Sequence, residues 1–426
     1  MKKTILILAC LWSFLMGPMG IAGAEGPIKE GETLDMNRCI AIALERHPSL
    51  RASAGTLAAG ESKIGQARAG YYPQLNAAAG YSRSDPTGTA GTQSFDNYST
   101  SLSLSQNLYD FGKTADQVKI SEFNRNSSRS DLDNVRSQVI LGVKQAYFGL
   151  FQAEQNRGVA RETVDQYQAH LDQARAFFTI GTKPKFDVTK AEVDLSNATL
   201  NLLKAENAFK LARVALNNAI GLPEAPAYSI TEQLSRERTP IDLEEALRKA
   251  YQRRPDLQAI LVRQQALTQS IELAKKGYYP SLSGSAGYNW GGSSFPLEKG
   301  WSIGAQVNIP LFSGFSTSYQ VAEARANLEV LAANEASLRQ TIDQEVKQAW
   351  LNLQEAADRI VTAELLTRQA QENLALANGR YTAGVGSPIE VTDALVALSS
   401  AKTSHISALY DYERAKASLE KAAGEP

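Results

Sequence analysis

The chain has 426 residues with 44 basic and 45 acidic side chains, and its formal net charge of −1 contains no basic excess that would indicate nucleic-acid binding. A disulfide within the mature chain is excluded, because Cys10 lies in a predicted signal segment and only Cys39 remains. After that signal, no segment has the roughly 18 consecutive apolar residues that predict a transmembrane helix.

The first segment, residues 1–24, is predicted to be a secretory signal. Lys2 and Lys3 give a basic start, the following residues are mostly apolar, and Ala22-Gly23-Ala24 matches a small-residue cleavage site. Cys10 follows Ile7-Leu8-Ala9, a pattern that hints at a lipoprotein signal, but apolar sequence continues beyond it. We therefore predict export and do not predict lipidation.

The remainder of the sequence contains a long internal duplication. Pro48 and Tyr72 align with Pro255 and Tyr279, 207 residues later, and the offset becomes 203 residues from Leu108 onward. The duplication predicts two structural repeats that form one intertwined domain. The first repeat covers residues 25–222, an inter-repeat linker covers 223–240, and the second repeat covers 241–426.

Each repeat is predicted to begin with a short amphipathic helix and, after a proline, a helix of about 20 residues. Two strands follow, because the residues after Tyr72-Pro73 and Tyr279-Pro280 alternate between apolar and small polar side chains. The turns between the strands, predicted over 85–96 and 291–300, are rich in residues typical of solvated loops.

Aromatic side chains mark both ends of the predicted strands. Two aromatic bands about ten residues apart fit the two interfaces of a membrane barrel, although a soluble sandwich with aromatic core ends would show the same pattern. The strands alone leave both alternatives open. The band nearer the helices contains Tyr71, Tyr72, Tyr109, Tyr278, Tyr279 and Phe312, and the other contains Tyr81, Phe95, Tyr98, Tyr288, Trp290 and Trp301.

A long helix is predicted after each strand pair, because residues 113–183 and 315–387 lack proline and place apolar residues at spacings of three and four. About 66 residues would give a helix about 100 Å long, which must lie along other helices. Turns at Gly181–Pro184 and Gly384–Pro388 end these helices, and a helix of about 35 residues returns from each. The returning helix and the helix before the strands are predicted to stack end to end as one column beside the long helix.

Four strands per chain are too few for a closed barrel, because membrane barrels have at least about eight. Insertion in a membrane would therefore require several chains around one axis. The predicted fold class is mainly α, with a membrane β-barrel portion built by more than one chain.

In the order of these motifs, the chain resembles the TolC-like outer-membrane efflux family over nearly all of its mature length. The resemblance rests on the duplicated Tyr-Tyr-Pro motif, the segment Ile309-Pro310-Leu311-Phe312-Ser313-Gly314, and the turns Phe178-x-x-Gly181 and Tyr381-x-x-Gly384. It implies a homotrimer in outer-membrane lipid, with a 12-stranded barrel continued by a long periplasmic α-helical barrel. It also implies docking of the turns to a periplasmic adaptor protein that connects to an inner-membrane pump. The turn residues concerned are Gly181, Pro184, Gly384, Gly386 and Pro388.

The resemblance further implies a gate at these turns. Glu390 and Asp393 match acidic rings at the constriction of family members, and Asp187 and Tyr381 match a contact that holds the tip closed. The chain departs from the family at Gly386, where some members carry an arginine, so we expect a weaker lock. Each acidic residue could instead serve as a favourable charge at a helix N-terminus.

No nucleophile with a base and no metal-ligand spacing is present, and His47, His170 and His405 are far apart in the sequence. We therefore predict no enzyme activity, no cofactor and no metal. The main functional prediction is a passive export conduit of a tripartite efflux or type I secretion system. The alternative is a secreted coiled-coil protein that spans the periplasm or forms a surface fibre. The lining residues do not distinguish a drug, a metal ion, a peptide or a protein as cargo.

Overall fold

The computed structural model describes residues 28–85, 94–231 and 242–425. The predicted signal at 1–24, the middle of the first strand turn and the second half of the predicted linker at 223–240 lie outside the described residues. Within these ranges, no helix combines the length and the apolar character that crossing a bilayer requires.

The helices have the same four lengths in each repeat, namely 11, 21, 67 and 35 residues. The predicted lengths of the long helices, the returning helices and the helices before the strands are thereby confirmed. The first repeat contains α1 (Met36–Arg46), α2 (Pro48–Arg68), α3 (Lys113–Thr179) and α4 (Lys185–Ala219), and the second contains α5 (Leu243–Arg253), α6 (Pro255–Lys275), α7 (Ser316–Thr382) and α8 (Pro388–Ala422).

Local signals start these helices at corresponding places in both repeats. The carboxylates of Asp35 and Asp242 each accept a hydrogen bond from the backbone N–H three residues later, at 2.7 and 3.2 Å, and so cap α1 and α5. Pro48 and Pro255 occupy the first turn of α2 and α6, where a helix needs no N–H donor. The duplication in sequence is therefore also a duplication of helix boundaries.

The strands form a four-stranded antiparallel sheet in the order β2-β3-β5-β6, so that β2 and β6 are its edges. A separate pair of two-residue strands, β1 and β4, runs parallel. The strands are β1 (Thr33–Leu34), β2 (Gln74–Ser84), β3 (Phe95–Tyr109), β4 (Ser229–Ile230), β5 (Ser281–Gly292) and β6 (Glu298–Asn308).

Both strand turns are shorter than predicted. Strand β5 continues through Gly292 and β6 begins at Glu298, and Asp96 already belongs to β3. Glycine and polar residues suggested a loop, but backbone ladder bonds do not depend on side chains, and Gly291 pairs with both Ser99 and Glu298.

The predicted end-to-end stacking of the shorter helices is confirmed at two glycines with positive φ. A Cβ on Gly221, just after α4, would lie 3.1 Å from the Cα of His47, which precedes α2. A Cβ on Gly424, just after α8, would lie 2.9 Å from the backbone nitrogen of Arg254, which precedes α6. Glycine permits this approach and the φ values of 76° and 77°.

The apolar core lies where the short helices pack against the long ones. In the first repeat, α1 and the β1–β4 pair cover α3, and the buried hydroxyl of Tyr147 donates to the carbonyl oxygens of Leu34 and Thr231 at 3.2 and 2.7 Å. Cys39 is fully buried there, and burial raises the pKa of its thiol to about 12, so it packs as an apolar residue as predicted. A second cluster joins α5 and α6 to α7 and α8.

Candidate functional site

The two helical turns lie side by side at one end of the molecule, at the tips of a first hairpin (α3 and α4) and a second hairpin (α7 and α8). The Nζ atom of Lys183, in the first turn, is 3.4 Å from the carbonyl oxygen of Gly386, in the second. Pro184 is the N-cap residue of α4, and Pro388 is the first residue of α8. The fold therefore brings together the turn residues that the sequence singled out.

Both turns reverse the chain through a glycine in the left-handed region. Gly181 has φ of 76° and Gly384 has φ of 79°. Their backbone N–H groups donate to the carbonyl oxygens of Phe178 and Tyr381 at 3.0 and 3.1 Å, respectively, as in a Schellman motif. A residue with a Cβ would be strained at either glycine.

The second turn is closed by side chains at the start of α8. The hydroxyl of Ser387 accepts from the backbone N–H of Ile389 at 3.2 Å, and the carboxylate of Glu390 accepts from the backbone N–H of Ser387 at 3.3 Å. Arg380 donates to the other Glu390 oxygen at 3.0 Å. The hydrogen bonds from Arg380 and Ser387 lower the pKa of Glu390 below its usual value, so this carboxylate is held as a partly neutralised cap.

Gly386 has no room for a side chain in this turn. A Cβ there would lie 2.8 Å from the backbone nitrogen of Tyr381 and 2.9 Å from the carbonyl carbon of Arg380. The backbone nitrogen of Gly386 donates to the carbonyl oxygen of Arg380 at 2.9 Å, which fixes this close approach. An arginine at this position would therefore require a different turn, and the weaker lock expected from glycine here stays a prediction.

Tyr381 is fully buried between the hairpins, where its ring centroid lies 5.2 Å from that of His170 and 5.6 Å from that of Phe177. The Nζ atom of Lys183 lies 5.1 Å from the Tyr381 ring centroid. Burial, and then the nearby Asp187, raise the pKa of Tyr381. Asp187 is also buried, but the Tyr381 hydroxyl forms no hydrogen bond with any described residue. The two predicted lock residues are thus neighbours that no hydrogen bond joins.

Asp393 lies one turn after Glu390 on α8, and its side chain is exposed. It is near Tyr167 of α3, whose pKa is raised to about 12 by burial first and then by the charges of Asp194 and Asp393. None of the ion pairs between described residues of the two hairpins includes Asp393. Of the two predicted ring residues, Asp393 therefore has the less compensated charge.

A polar contact between the hairpins was missed by the sequence analysis. The hydroxyl of Thr392, on α8, donates to Asp194 Oδ2, on α4, at 3.0 Å. Lys190 donates to both oxygens of the Asp194 carboxylate, at 2.5 and 2.6 Å. The available signals were the four-residue spacing of Lys190 and Asp194 and the seven-residue spacing from Asp187, which puts both aspartates on one helix face.

The predicted aromatic bands lie at the two ends of the sheet. At the end far from the helices, Tyr81 is opposite Tyr98, and Tyr288 is opposite Trp301. The Tyr288 and Trp290 ring centroids are 4.5 Å apart. At the other end, all six predicted aromatics are at least 49% exposed in the single chain: Tyr71, Tyr72, Tyr109, Tyr278, Tyr279 and Phe312.

The three histidines occupy separate places, with His47 capping α2, His170 on α3 and His405 on α8. In the part of the chain that the structure describes, no group of three or more His, Cys, Asp or Glu side chains could hold a metal ion.

Comparison with known proteins identifies this architecture. The family model described as outer membrane efflux protein matches residues 39–222 and 246–425. The chain belongs to the outer membrane efflux protein family. The match includes both hairpins and all four strands of the large sheet, so the family assignment covers both the sheet and the candidate gate.

Two TolC proteins are similar to this chain in sequence over most of its length. Outer membrane protein TolC of Vibrio cholerae is 25% identical over 395 residues, which cover 90% of this chain and 89% of that protein. Outer membrane protein TolC of Escherichia coli is 23% identical over 386 residues, which cover 86% of this chain and 77% of that protein.

Solved structures of other proteins share the fold of this chain. A crystal structure of CusC has a TM-score of 0.81 at 20% identity and covers 94% of this chain and 97% of that chain. The crystal structure of the outer membrane protein VceC of Vibrio cholerae has a TM-score of 0.76 at 20% identity, with 92% and 96% covered. The predicted fold class is confirmed.

The chain is therefore an outer-membrane efflux protein that extends into the periplasm. The predictions of family, location and channel function are confirmed, and the family assignment favours them over the alternative of a secreted coiled-coil fibre.

Proposed function

We propose that three copies of the chain form one passive export duct, with a 12-stranded barrel in the outer membrane and a helical barrel in the periplasm. In the sheet, β3 and β5 are paired on both sides, whereas β2 and β6 each have a free edge. Lipid offers no partner for backbone N–H and C=O groups, so β6 of one copy would pair with β2 of the next. Each copy would contribute the repeats 25–222 and 241–426, joined at 223–240, as one intertwined domain.

The helices provide the observation on which this proposal rests. Within the chain, α3 packs against α8, where Phe148 is 4% exposed and Ile406 packs against the same buried cluster. Their counterparts at the 203-residue offset, Leu351 on α7 and Leu203 on α4, are both 57% exposed. The contact between α3 and α8 is thus formed within one chain, whereas the corresponding faces of α7 and α4 are both left exposed. Packing of α4 of one copy against α7 of the next would bury them.

Assembly can be tested with two matched leucines on α4. Leu200 and Leu203 are 56% and 57% exposed in the single chain, but the counterpart of Leu200 is the exposed Thr403. Leu203→Arg should prevent the trimer, because it places a charge in the seam, whereas Leu200→Arg should leave it intact. Native mass measurement in detergent gives the number of chains in each variant. If both Leu203→Arg and Leu200→Arg form trimers, α4 of one copy does not pack against α7 of the next in the proposed way.

The duct is proposed to be passive. One face of the strands carries small polar side chains, including Ser101, Ser103 and Ser105 on β3, and these offer weak and unselective contacts to a solute. We infer that the inner-membrane pump, rather than the duct, determines the cargo, and we assign the duct no catalytic step.

We further propose that the tips of the hairpins dock to a periplasmic adaptor, which connects the duct to the pump. Ile180 and Val385 are each 69% exposed in the two turns, and Phe186 is 64% exposed beside them. Exposed apolar side chains at a tip are suited to burial by a partner. Ile180→Asp with Val385→Asp should preserve the trimer and its conductance but abolish export from cells. Lys185→Ala, at an exposed residue of the same tip, is the control; export that continues in the double variant would place docking elsewhere.

The gate is proposed to lie at the same tip. Asp393 would form a ring of three carboxylates in the trimer, with Glu390 as a second ring that Arg380 partly neutralises within each chain. Like charges held close together repel, so an entering cation would lower the energy of the closed ring. Asp187 and Tyr381, buried between the hairpins, would hold them together in the closed state.

A further inference from the structure

The seam between the two hairpins of one chain contains a buried hydrogen bond to a carboxylate, two turns of α4 away from Asp187. Asp194 and Thr392 are both 8% exposed, and the Thr392 hydroxyl donates to Asp194 Oδ2 at 3.0 Å. Leu195 and Ala198 on α4 and Leu395 on α8 belong to the apolar cluster of this seam, and Lys190, Tyr167 and His170 are the polar side chains near Asp194. A hydrogen bond to a charged group is stronger in such surroundings than in water.

We propose that Asp194 and Thr392 form a latch that holds the second hairpin to the first in the closed duct. The inference rests on the proposed function, because only a duct that opens at its tip needs the hairpins to separate. Both groups are positioning residues, since neither would line the pore and both act on the gate through the hairpins that carry them.

The chemistry of the contact suits a latch that must release. When the hairpins separate, Thr392 leaves with α8, but Lys190 stays beside Asp194 because it lies four residues earlier on the same helix. The Asp194 carboxylate therefore keeps a counter-charge in the open state, and water can replace the lost hydroxyl. A buried carboxylate that lost its only partner would resist opening far more.

The latch is confined to the seam within each chain. At the 203-residue offset, the counterpart of Asp194 is Ala397 on α8, and the counterpart of Thr392 is Thr189 on α4. Thr189 is exposed in the single chain. In a trimer, Thr189 of one copy would face Ala397 of the next, which offers no carboxylate to accept a hydrogen bond from the Thr189 hydroxyl. The three seams between chains therefore lack the latch that the three seams within chains contain.

The test compares three threonine variants as trimers in planar bilayers with potassium chloride. Thr392→Val keeps the shape and removes the hydroxyl from all three copies, so the fraction of time spent in the high-conductance state should rise by at least about tenfold, the factor that corresponds to one hydrogen bond to a charged group. Thr392→Ser restores the hydroxyl and should return that fraction to the wild-type value. Thr189→Val makes the same change at the counterpart position and should have no effect.

A purely structural role would lower the thermal midpoint of the trimer without changing the open fraction. That result, or equal open fractions for Thr392→Val and wild type, would overturn the latch. Asp194→Ala provides an independent variant: it should raise the open fraction, and combining it with Thr392→Val should add little, because both remove the same contact. A wild-type chain that forms no trimer or no pore would instead refute the proposed duct, which separates the two failures.

Discussion

At the junction between α8 and α6, the Arg254 side chain is 4% exposed and lies between two carboxylates, at 2.6 Å from Asp256 and 2.6 Å from Glu345. At the matching junction between α4 and α2, the first repeat has His47, whose Nδ1 accepts from the backbone N–H of Ser49 at 3.3 Å. Ser49 is itself the counterpart of Asp256. One junction is thus held by a buried ionic network, and the other contains a neutral cap in the same place.

The backbone features of the two junctions are nevertheless the same. Pro48 and Pro255 begin α2 and α6, respectively. Gly221 and Gly424, both with positive φ, follow the ends of α4 and α8. The comparison shows that the repeated geometry depends on backbone conformation, while the side-chain chemistry around it differs between the repeats.

Replacing the side chain at each junction should have the largest effect. Burial by itself would lower the pKa of Arg254, but its hydrogen bonds to Asp256 and Glu345 raise it, so the guanidinium is charged. Its loss would leave Asp256 without Arg254 and Glu345 with the more distant Lys421, at 3.7 Å. Arg254→Met should lower the free energy of unfolding by about 3 kcal/mol. His47→Met should cost about 1 kcal/mol, as for a lost helix cap. Urea unfolding of the trimer, followed by circular dichroism, measures both; equal losses would contradict the comparison.

The strand pairs should instead respond alike in the two repeats, because they share one geometry. Leu102→Arg on β3 and Ile303→Arg on β6 place a charge on the apolar face of the sheet, which would face lipid in the proposed barrel, and should each cost about 2–4 kcal/mol near the bilayer midplane. Ser103→Arg, on the opposite face of β3, is the control and should insert normally while narrowing the pore. Membrane fractionation and bilayer conductance check these outcomes, and equal insertion of all three variants would mean that the faces are misassigned.

Between about pH 5 and pH 7, acid should act on the first hairpin through His170, whose counterpart in the second hairpin is Asn373. Burial lowers the pKa of His170, an effect that Asp194 and Asp187 partly oppose and Lys190 reinforces, and Tyr381 of α7 faces the same ring. The unfolded state therefore binds a proton at higher pH than the folded state. Stability should rise with pH from the lowered pKa to about 6.5, the ordinary value for histidine, and should be lost as the pH falls through that window.

The matched variant for this prediction is His170→Asn, which copies the second repeat into the first. It should remove the pH dependence of the thermal midpoint between about pH 5 and pH 7 without altering the trimer. A midpoint that depends on pH equally in the variant and in the wild type would assign the effect to other groups.

The smallest effect is expected at the proposed carboxylate rings. Asp393→Asn should reduce cation selectivity and multivalent-cation block, because no ion pair among the described residues of the hairpins includes Asp393. Glu390→Gln should change selectivity less, since Arg380 already pairs with Glu390 and glutamine can still cap the helix. Single-channel reversal potentials compare the two variants. Unchanged selectivity in Asp393→Asn would show that this residue faces solvent outside the pore.

Much of the fold was determined by local features of the sequence. The proline-free segments with three- and four-residue apolar spacing predicted both 67-residue helices, and alternation after the Tyr-Tyr-Pro motifs predicted β2 and β5. The turns at Gly181 and Gly384 were also predicted from the sequence, because the preference of glycine for positive φ is a property of a single residue. These features need only the near neighbours of each residue.

Only the tertiary structure decided which distant residues meet. Asp194 and Thr392 are 198 residues apart, and their hydrogen bond depends on the relative rotation and tilt of α4 and α8. The same applies to Gly386, where the close approach of the chain to Tyr381, rather than the residue type, excludes a side chain. Local pattern fixes which face of a helix is apolar, but the angle between two hairpins follows from the packing of all four helices, and that packing brings Thr392 within hydrogen-bonding distance of Asp194.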